Sequence, residues 1–196
     1  MEARLGEMQS TAAEGVGTDP AGPRTLSFPL ETPRLLMRPW EPTDTDAFHR
    51  LYASPEVMRW VGGGPSRDIE HSERRLTWMI EQQARTGLSL WATLERESGA
   101  IIGECGLIHV GGEGPEVEIA YKLCRPYWGH GYAGEAAQAV MEAGFRGLGL
   151  RRIVAYVYPD NIASQRVAER LGLQLQHNTT LGDQQVLILG RTRPAT

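Results

Sequence analysis

Cysteine is scarce in this sequence of 196 residues, which holds Cys105 and Cys124 and no others. The residues around them show no metal-ligand spacing, so a disulfide framework and a zinc site are both poor interpretations. A chain with so little cysteine is typical of a reducing compartment. We therefore predict a cytoplasmic protein that holds no metal.

Long apolar runs are also lacking. The amino terminus has no run long enough for a signal peptide, and no stretch approaches the ~20 apolar residues that span a membrane. Positive charge is not in excess either, since the formal net charge is −4, and this disfavours a protein whose main task is to grip nucleic acid. We expect a soluble protein with no membrane or nucleic-acid partner.

Hydrophobic residues are present in sufficient number, at 41% of the chain, to build a core. Residues 1–27 are rich in Gly, Ala, Thr, Glu and Pro without apolar periodicity, which is typical of a flexible extension. The remaining residues, 28–196, have the length of one domain.

Strand-like and helix-like patterns alternate through residues 28–196. Apolar and β-branched runs bounded by glycine or proline predict strands, whereas apolar residues at helical spacing predict helices. The predicted strands are 34–38, 89–95, 100–110, 116–123, 152–158, 174–177 and 185–189. The predicted helices are about 43–52, 66–86, 132–145 and 161–171, with Gly172 ending the last one. This order predicts a mixed α/β (α+β) layout around one sheet.

A glycine-rich turn joins the strand at 116–123 to the helix that begins near Tyr132. Small residues at Gly129, Gly131 and Ala133 let backbone amides approach a ligand, and a helix start adds unpaired N–H groups and a positive dipole end. The turn suits a pyrophosphate, although a tight turn without a ligand has the same composition. The Gly-Lys-Ser/Thr phosphate motif is absent, and the turn comes too late in the chain for a dinucleotide fingerprint.

Residues 128–136, Trp-Gly-His-Gly-Tyr-Ala-Gly-Glu-Ala, resemble the acetyl-CoA pyrophosphate motif of the GNAT superfamily of acetyltransferases. That motif is written Arg/Gln-x-x-Gly-x-Gly/Ala, which places Gly131 and Ala133 at its small positions. Trp128 departs from it at the first position. The Trp-Gly-x-Gly-Tyr-Ala form resembles the branch that acetylates the amino termini of ribosomal proteins.

Two further blocks carry the same resemblance. Residues 161–173, which begin with Asn161, are similar to the superfamily's Asn-bearing helix, and residues 31–38 are similar to the branch's opening strand. The resemblance thus extends over about residues 31–173. It implies a single GNAT-like domain with a mixed central sheet of about seven strands, splayed between the fourth and fifth and flanked by about four helices.

The resemblance implies an N-acetyltransferase that uses acetyl-CoA as co-substrate and transfers its acetyl group by direct attack of a primary amine. The acceptor would be a small-molecule amine or a protein amino terminus, and a homodimer is the assembly that relatives suggest. Two alternatives stay open, namely a non-catalytic acyl-CoA-binding or regulatory module and a transferase of a longer acyl group.

The resemblance also implies how the cofactor is held. Pantetheine would add as a strand beside the backbone of Tyr121 and Leu123. Asn161 would reach the pantetheine or the acceptor side of the cleft, although a helix cap is an equally physical role for it. The pyrophosphate would be held by the turn, with the expected cofactor-binding residues Trp128, Gly129, His130, Gly131, Tyr132 and Ala133.

Three side chains are candidates for the chemistry that the resemblance implies. Glu118 and Glu104 lie on predicted strands of the cleft, and either can take the amine's proton through a water. Glu118 has the alternative of an exposed rung or a salt-bridge partner. Many superfamily members place a tyrosine acid at the position of Ala168 here. Ser164 is then the hydroxyl available near the sulfur, unless it is a solvent-facing or helix-starting serine.

Other residues have weaker functional interpretations. A backbone N–H near Leu123 is the expected oxyanion donor. A covalent acyl-enzyme on Cys124 is disfavoured, because a cysteine in a sheet is usually buried and inert. Trp60, Trp91 and Tyr158 are candidate walls of the acceptor pocket, with plain core as the alternative. Arg125 and Arg166 are candidate partners of the nucleotide's 3′-phosphate, with solvated arginines as the alternative.

Overall fold

Helices and strands follow one another along the part of the chain that the computed structural model describes, residues 25–112 and 114–194. These ranges contain five helices, α1 (Thr45–Tyr52), α2 (Pro55–Met58), α3 (Ile69–Thr86), α4 (Tyr132–Glu142) and α5 (Ile162–Arg170). They also contain eight strands, β1 (Leu30–Glu31), β2 (Leu35–Arg38), β3 (Leu90–Glu95), β4 (Ile101–His109), β5 (Val117–Leu123), β6 (Arg152–Val157), β7 (Gln174–Leu181) and β8 (Gln184–Thr192).

Capping residues define the start of α3 and the end of α5. The Asp68 side chain accepts a hydrogen bond from the backbone N–H of His71 at 2.7 Å and begins α3, which satisfies one of the unpaired amides of the first turn. Gly172, at φ +74°, ends α5, and Leu173 N–H donates to the Ala168 carbonyl at 3.0 Å. This is the Schellman geometry that glycine favours, and it confirms the predicted end of the helix.

All eight strands belong to one sheet, in the order β1-β2-β3-β4-β5-β6-β8-β7. Neighbours pair antiparallel except β5 and β6, which are parallel. The β4–β5 pair is in register over seven positions, whereas β5 and β6 share one register pair, Glu118 with Val154. Beyond that pair the two strands diverge toward their carboxyl ends, so the predicted splay lies between β5 and β6.

Two hydrophobic clusters cover opposite faces of the sheet. One lies under α4 and α5 and includes Ile119, Ala137 and Ala168. The other lies under α1, α2 and α3 and includes Phe48 and Met79. Successive β5 side chains alternate between the two faces, as a pleated strand requires. Helices on both faces of one sheet confirm the predicted α/β class.

The structure extends the predicted element list in three places. Strand β1 and helix α2 were not predicted, because two and four residues are too short to show a hydrophobic period. Strands β7 and β8 run well past the predicted 174–177 and 185–189. Six of the eight β7 residues are polar and most of the strand is exposed, so no apolar alternation marks its length.

The predicted extension at residues 1–27 falls almost entirely outside the described residues and stays a prediction. Of its last three residues, Leu26 packs against the cluster under α4. Phe28, the first residue of the predicted domain, lies edge-on to Trp91 with ring centroids 5.0 Å apart.

Replacing glycine by alanine is expected to have opposite effects on stability at Gly106 and at Gly134. A Cβ added at Gly106 in β4 would overlap the Ser89 carbonyl and lie 2.8 Å from Leu90 Cα, whereas one at Gly134 in α4 meets no atom within 4 Å. We expect Gly106→Ala to lower the free energy of unfolding by about 1–3 kcal/mol. Gly134→Ala should raise it by about 0.5–1 kcal/mol, because alanine loses less backbone entropy in a helix. Urea denaturation measures the free energy of unfolding of both variants. Equal unfolding midpoints for the two variants would contradict the close approach at Gly106.

Candidate active site

The divergence of β5 and β6 opens a cleft of about 650 Å³ that passes through the sheet. The part on the face of α4 and α5, here called the α4-side half, is lined by Tyr121, Leu123, residues of the turn before α4, Asn161 and Ser164. The part on the opposite face, here called the α3-side half, is lined by Val57, Trp60, Trp78, Gln82, Ile108 and Glu118.

The β5 backbone presents an open edge to this cleft. Cys124 N–H donates to the Ile102 carbonyl of β4 at 2.8 Å. Because backbone groups of alternate residues in a strand point to alternate sides, those of Leu123 and Tyr121 point away from β4, into the gap. The Leu123 carbonyl accepts a bond from Trp128 Nε1 at 2.6 Å. Trp128 therefore ties the glycine-rich turn to the end of β5.

The glycine-rich turn leads directly into α4. Gly129 and Gly131 have φ values of +81° and +82°, which residues with a Cβ rarely adopt. Gly131 is the N-cap of α4 and has no side chain with which to cap the helix. The first-turn amides of an eleven-residue helix therefore face the cleft with the positive end of the helix dipole, which is an arrangement suited to an anion.

Arg34 and Glu135 hold this turn against the first strands. Arg34 Nη1 donates to the His130 carbonyl at 3.0 Å, and Arg34 Nε donates to Glu135 Oε2 at 2.7 Å. Thr32 Oγ1 donates to Glu135 Oε1 at 2.6 Å. Burial raises the pKa of Glu135, but the Thr32 and Arg34 bonds outweigh it and leave that pKa below its ordinary value. We did not predict this role for Arg34 or Glu135, although both lie in the quoted motifs.

Asn161 and Ser164 meet at the start of α5. Asn161 Oδ1 accepts from Ser164 N–H at 3.2 Å, so the helix-cap alternative for Asn161 is confirmed. Ser164 Oγ lies 3.0 Å from the hydroxyl of Tyr121, which also donates to the Ser164 carbonyl at 3.1 Å. Burial raises the pKa of Tyr121 to about 12, with a partial offset from Ser164. Tyr121 is therefore protonated at neutral pH.

The two candidate bases occupy different environments. Glu118 is 7% exposed and lines the α3-side half. Glu104 is fully buried and lies behind the cleft wall, where it pairs with Lys122 and accepts bonds from Tyr52 (2.6 Å) and Trp40 (3.1 Å). Burial and the Glu104 charge raise the pKa of Tyr52 well above its ordinary value. The geometry favours Glu118 over Glu104.

The three aromatic candidates do not share one location. Trp60 and Tyr158 line the cleft, and their ring centroids lie 5.8 Å apart. Trp91 is fully buried in the core under α4 and donates from Nε1 to Gln83 Oε1 at 2.7 Å. Trp91 is thus a core residue, whereas Trp60 and Tyr158 remain candidate walls of an acceptor pocket.

The candidate residues around the glycine-rich turn also differ in their surroundings. Arg166 lines the cleft, whereas Arg125 stacks over the Trp128 ring at 4.8 Å. His130 contributes its carbonyl to Arg34, and its ring lies 6.0 Å from that of Tyr132. Burial raises the pKa of the Cys124 thiol, which lowers its thiolate fraction and agrees with the disfavoured covalent role.

Sequence reasoning missed several residues of the α3-side half. Lys122 lines the cleft beside its buried partner Glu104, and Trp78 and Gln82 face it from α3. Trp78 and Gln82 lie one helical turn apart, a spacing that places them on one face. That periodicity was visible in the sequence, but nothing in it indicated which face meets the cleft.

Residues 25–112 and 114–194 hold no group of three or more His, Cys, Asp or Glu side chains that is arranged to bind a metal ion. In the same ranges, none of the helices has the length and apolar content needed to cross a membrane.

Comparison with known proteins gives a family match and several relatives. The acetyltransferase (GNAT) domain family matches residues 34–174. The uncharacterised protein YkkB of Bacillus subtilis is 34% identical over 146 residues, which cover 74% of this chain and 84% of that protein. The uncharacterised N-acetyltransferase p20 of Bacillus licheniformis is 30% identical over 145 residues, 74% of this chain and 82% of that protein.

Solved structures show the same fold. An acetyltransferase from Agrobacterium tumefaciens superposes with a TM-score of 0.71 at 30% identity, over 88% of this chain and 100% of that one. RimL, a ribosomal L7/L12 α-N-protein acetyltransferase in complex with coenzyme A, superposes with a TM-score of 0.70 at 19% identity, over 82% of this chain and 95% of that one. At that identity RimL supports the fold alone.

The buried Glu104–Lys122 pair predicts a large effect on stability. Glu104→Gln should lower the free energy of unfolding by about 3–5 kcal/mol, because it leaves the Lys122 charge buried without a counter-ion. Adding Lys122→Met should recover a large part of that loss, since the double variant buries no charge at this position. Urea denaturation of the wild type and both variants measures this. A double variant less stable than Glu104→Gln would refute the pairing energy as the cause.

Proposed function

This chain belongs to the GNAT acetyltransferase family, and we propose that it is an acetyl-CoA-dependent N-acetyltransferase acting on a primary amine. In the proposed reaction the amine attacks the thioester carbonyl directly, in a complex that holds both substrates. One observation carries the proposal, namely that the open backbone edge of Tyr121 and Leu123 and the amides that begin α4 line the same half of one cleft.

The residues of the α4-side half fit acetyl-CoA in two separate ways. Amides from Gly129 to Ala133 would bind the pyrophosphate, because two glycines at positive φ leave those N–H groups uncovered and the helix dipole favours the negative charge. The Tyr121 backbone would pair with a pantetheine amide, which adds to the strand edge beside Leu123, whose carbonyl already accepts from Trp128. Arg166 lines the same cleft and would face the nucleotide phosphates.

Proton removal from the amine is assigned to Glu118. An ammonium must lose a proton before its nitrogen can attack a carbonyl, and a carboxylate takes that proton directly or through one water. Glu118 lines the α3-side half, two residues before Ala120 on the same face of β5. It therefore lies on the opposite side of the splayed strands from the cofactor's phosphates.

Charge on the reacting carbonyl oxygen and on the leaving sulfur needs hydrogen-bond donors. The backbone N–H of Leu123 points into the gap and is the donor proposed for the oxyanion. Ser164 is the donor proposed for the sulfur. Tyr121 keeps its proton at neutral pH, donates to the Ser164 carbonyl and lies 3.0 Å from Ser164 Oγ, so that it positions the hydroxyl from which Ser164 would donate a hydrogen bond to the thiolate.

A non-catalytic acyl-CoA-binding module is the second candidate. It is favoured by Ala168, which is 1% exposed and occupies the position of the tyrosine acid that the resemblance leads one to expect. The two functions share the cofactor site and differ only in turnover.

Coenzyme-A release in the presence of amines tests the catalytic assignment. We expect Glu118→Gln and Ser164→Ala each to lower kcat by about 10²–10⁴-fold, because general acid–base groups contribute rate enhancements of that size. Calorimetric affinity for acetyl-CoA should stay within a few-fold of the wild type. Glu169→Gln, an exposed carboxylate on α5, is the matched control and should leave both quantities unchanged. Tight acetyl-CoA binding without turnover on any amine would favour the binding module instead.

The anchoring of the turn predicts an effect on cofactor affinity alone. We expect Arg34→Lys and Glu135→Gln each to weaken acetyl-CoA binding by about tenfold, since each removes charge-assisted hydrogen bonds worth roughly 1.5–3 kcal/mol. The value of kcat at saturating acetyl-CoA should be retained, because neither side chain lines the α3-side half.

Arg146→Lys, at an exposed position, makes the same chemical change elsewhere and serves as the control for Arg34→Lys. Calorimetry with coenzyme A measures binding without turnover. Unchanged affinity in both the Arg34 and the Glu135 variants would show that the turn keeps its conformation without this contact.

A further inference from the structure

Three aromatic side chains line the α3-side half of the cleft. Trp60 from the segment after α2, Trp78 from α3 and Tyr158 from the end of β6 all line it, and each is half-buried. The Trp60 and Tyr158 rings approach to 5.8 Å at an interplanar angle of 34°. The contact between these two rings joins the segment after α2 to the end of β6 and narrows the opening of the α3-side half.

Beside Lys122 and Gln82, the lining of this half includes apolar and acidic residues. Val57 and Ile108 complete its apolar wall, and Glu56 and Glu118 contribute two carboxylates. A pocket with a broad apolar wall and a few polar groups fixes the orientation of a small ligand. The two carboxylates make the potential at their positions negative, which favours a cation there.

The cationic groups near this half are largely committed elsewhere. Lys122 Nζ pairs with Glu104, donates to the Tyr52 hydroxyl at 3.0 Å and lies 4.5 Å from the Tyr52 ring centroid. His109 Nδ1 is bonded to the Gly114 carbonyl at 2.9 Å. Arg59 lies over the Trp60 ring at 4.7 Å and is exposed at the rim. The Lys122 charge is therefore balanced within the wall.

We propose that the acceptor bound in the α3-side half is a small primary amine carried on an aromatic body, of the arylalkylamine class. This inference rests on the proposed function and names its substrate class. The ring would pack between Trp60, Trp78 and Tyr158, and the ammonium would face Glu118. Flat apolar rings gain from offset or edge contacts with such residues, and a ligand carboxylate would meet repulsion from Glu56 and Glu118.

A protein amino terminus fits this half less well. An extended peptide brings several backbone amides that need partners when they are buried, and Val57, Ile108 and the three rings supply few. In the transfer itself the amine nitrogen bonds to the acetyl carbon as the carbon–sulfur bond breaks. The ammonium first loses one proton through Glu118 to solvent, and on attack the nitrogen loses a second proton, which passes through solvent to the leaving thiolate while Ser164 donates a hydrogen bond to that sulfur. The products are therefore an N-acetylamine, a thiol and one released proton.

The test measures acceptor binding and turnover separately. In the presence of coenzyme A, calorimetry would follow the binding of 2-phenylethylamine, L-phenylalanine, spermidine and peptides that begin with Ala or Ser. We expect 2-phenylethylamine to bind at least about tenfold more tightly than L-phenylalanine, which differs by its carboxylate, and than the peptides. Acetyl-CoA turnover with the same panel should follow the same order.

Variants of one ring identify where the amine binds. Trp60→Ala should weaken 2-phenylethylamine binding by about 10–100-fold, as expected for a lost hydrophobic contact, and Trp60→Phe should restore most of it. Coenzyme-A affinity should stay the same in both. Preferred binding of spermidine or a peptide, or an unchanged affinity in Trp60→Ala, would overturn the acceptor class. Turnover on those acceptors would then leave the proposed function standing, whereas arylalkylamine binding without any turnover would count against the function alone.

Discussion

Between β5 and β6 the sheet is joined by one backbone register pair, Glu118 with Val154, and both strands continue past it and diverge. Unpaired backbone groups inside a sheet are costly unless another chain or ligand satisfies them. The Tyr121 backbone and the Leu123 N–H therefore form an edge that an added ligand can satisfy, whereas the Leu123 carbonyl already accepts from Trp128. The same divergence makes the cleft continuous through the sheet, so that a ligand on one face can react with a ligand on the other.

A gap of this kind needs rigid borders, and hydrogen bonds between residues far apart in sequence supply them. Arg34 and Thr32, near the amino-terminal end of the described residues, hold Glu135 and the carbonyl of His130 about a hundred positions later. Trp128 fixes the same turn to the end of β5. Two independent anchors thus set the direction in which the first amides of α4 point.

Sequence patterns predicted the long elements and the glycine-rich turn, because both depend on local signals, whereas the roles of Tyr121, Leu123 and Ser164 were implied by the family resemblance. The backbone preferences of Gly129 and Gly131 favour a turn, and the side chain of Asn161 favours a helix cap. The rest depends on pairing between distant residues. The burial of Glu104 behind Lys122 follows from strand register, which alternation alone does not give, and the polar strand β7 forms because β8 offers it a partner. Nothing local distinguished Trp91 in the core from Trp60 in the cleft.

The placement of charge explains why both halves can serve one reaction. On the α4-side half the helix dipole and Arg166 favour an anion, whereas on the α3-side half Glu56 and Glu118 favour a cation. Lys122 would cancel this asymmetry if it stood alone in the wall. Glu104, buried on the neighbouring strand, balances that charge locally, at the cost of desolvating two ions. The polarity across the splayed strands is therefore maintained by a carboxylate that does not itself line the cleft.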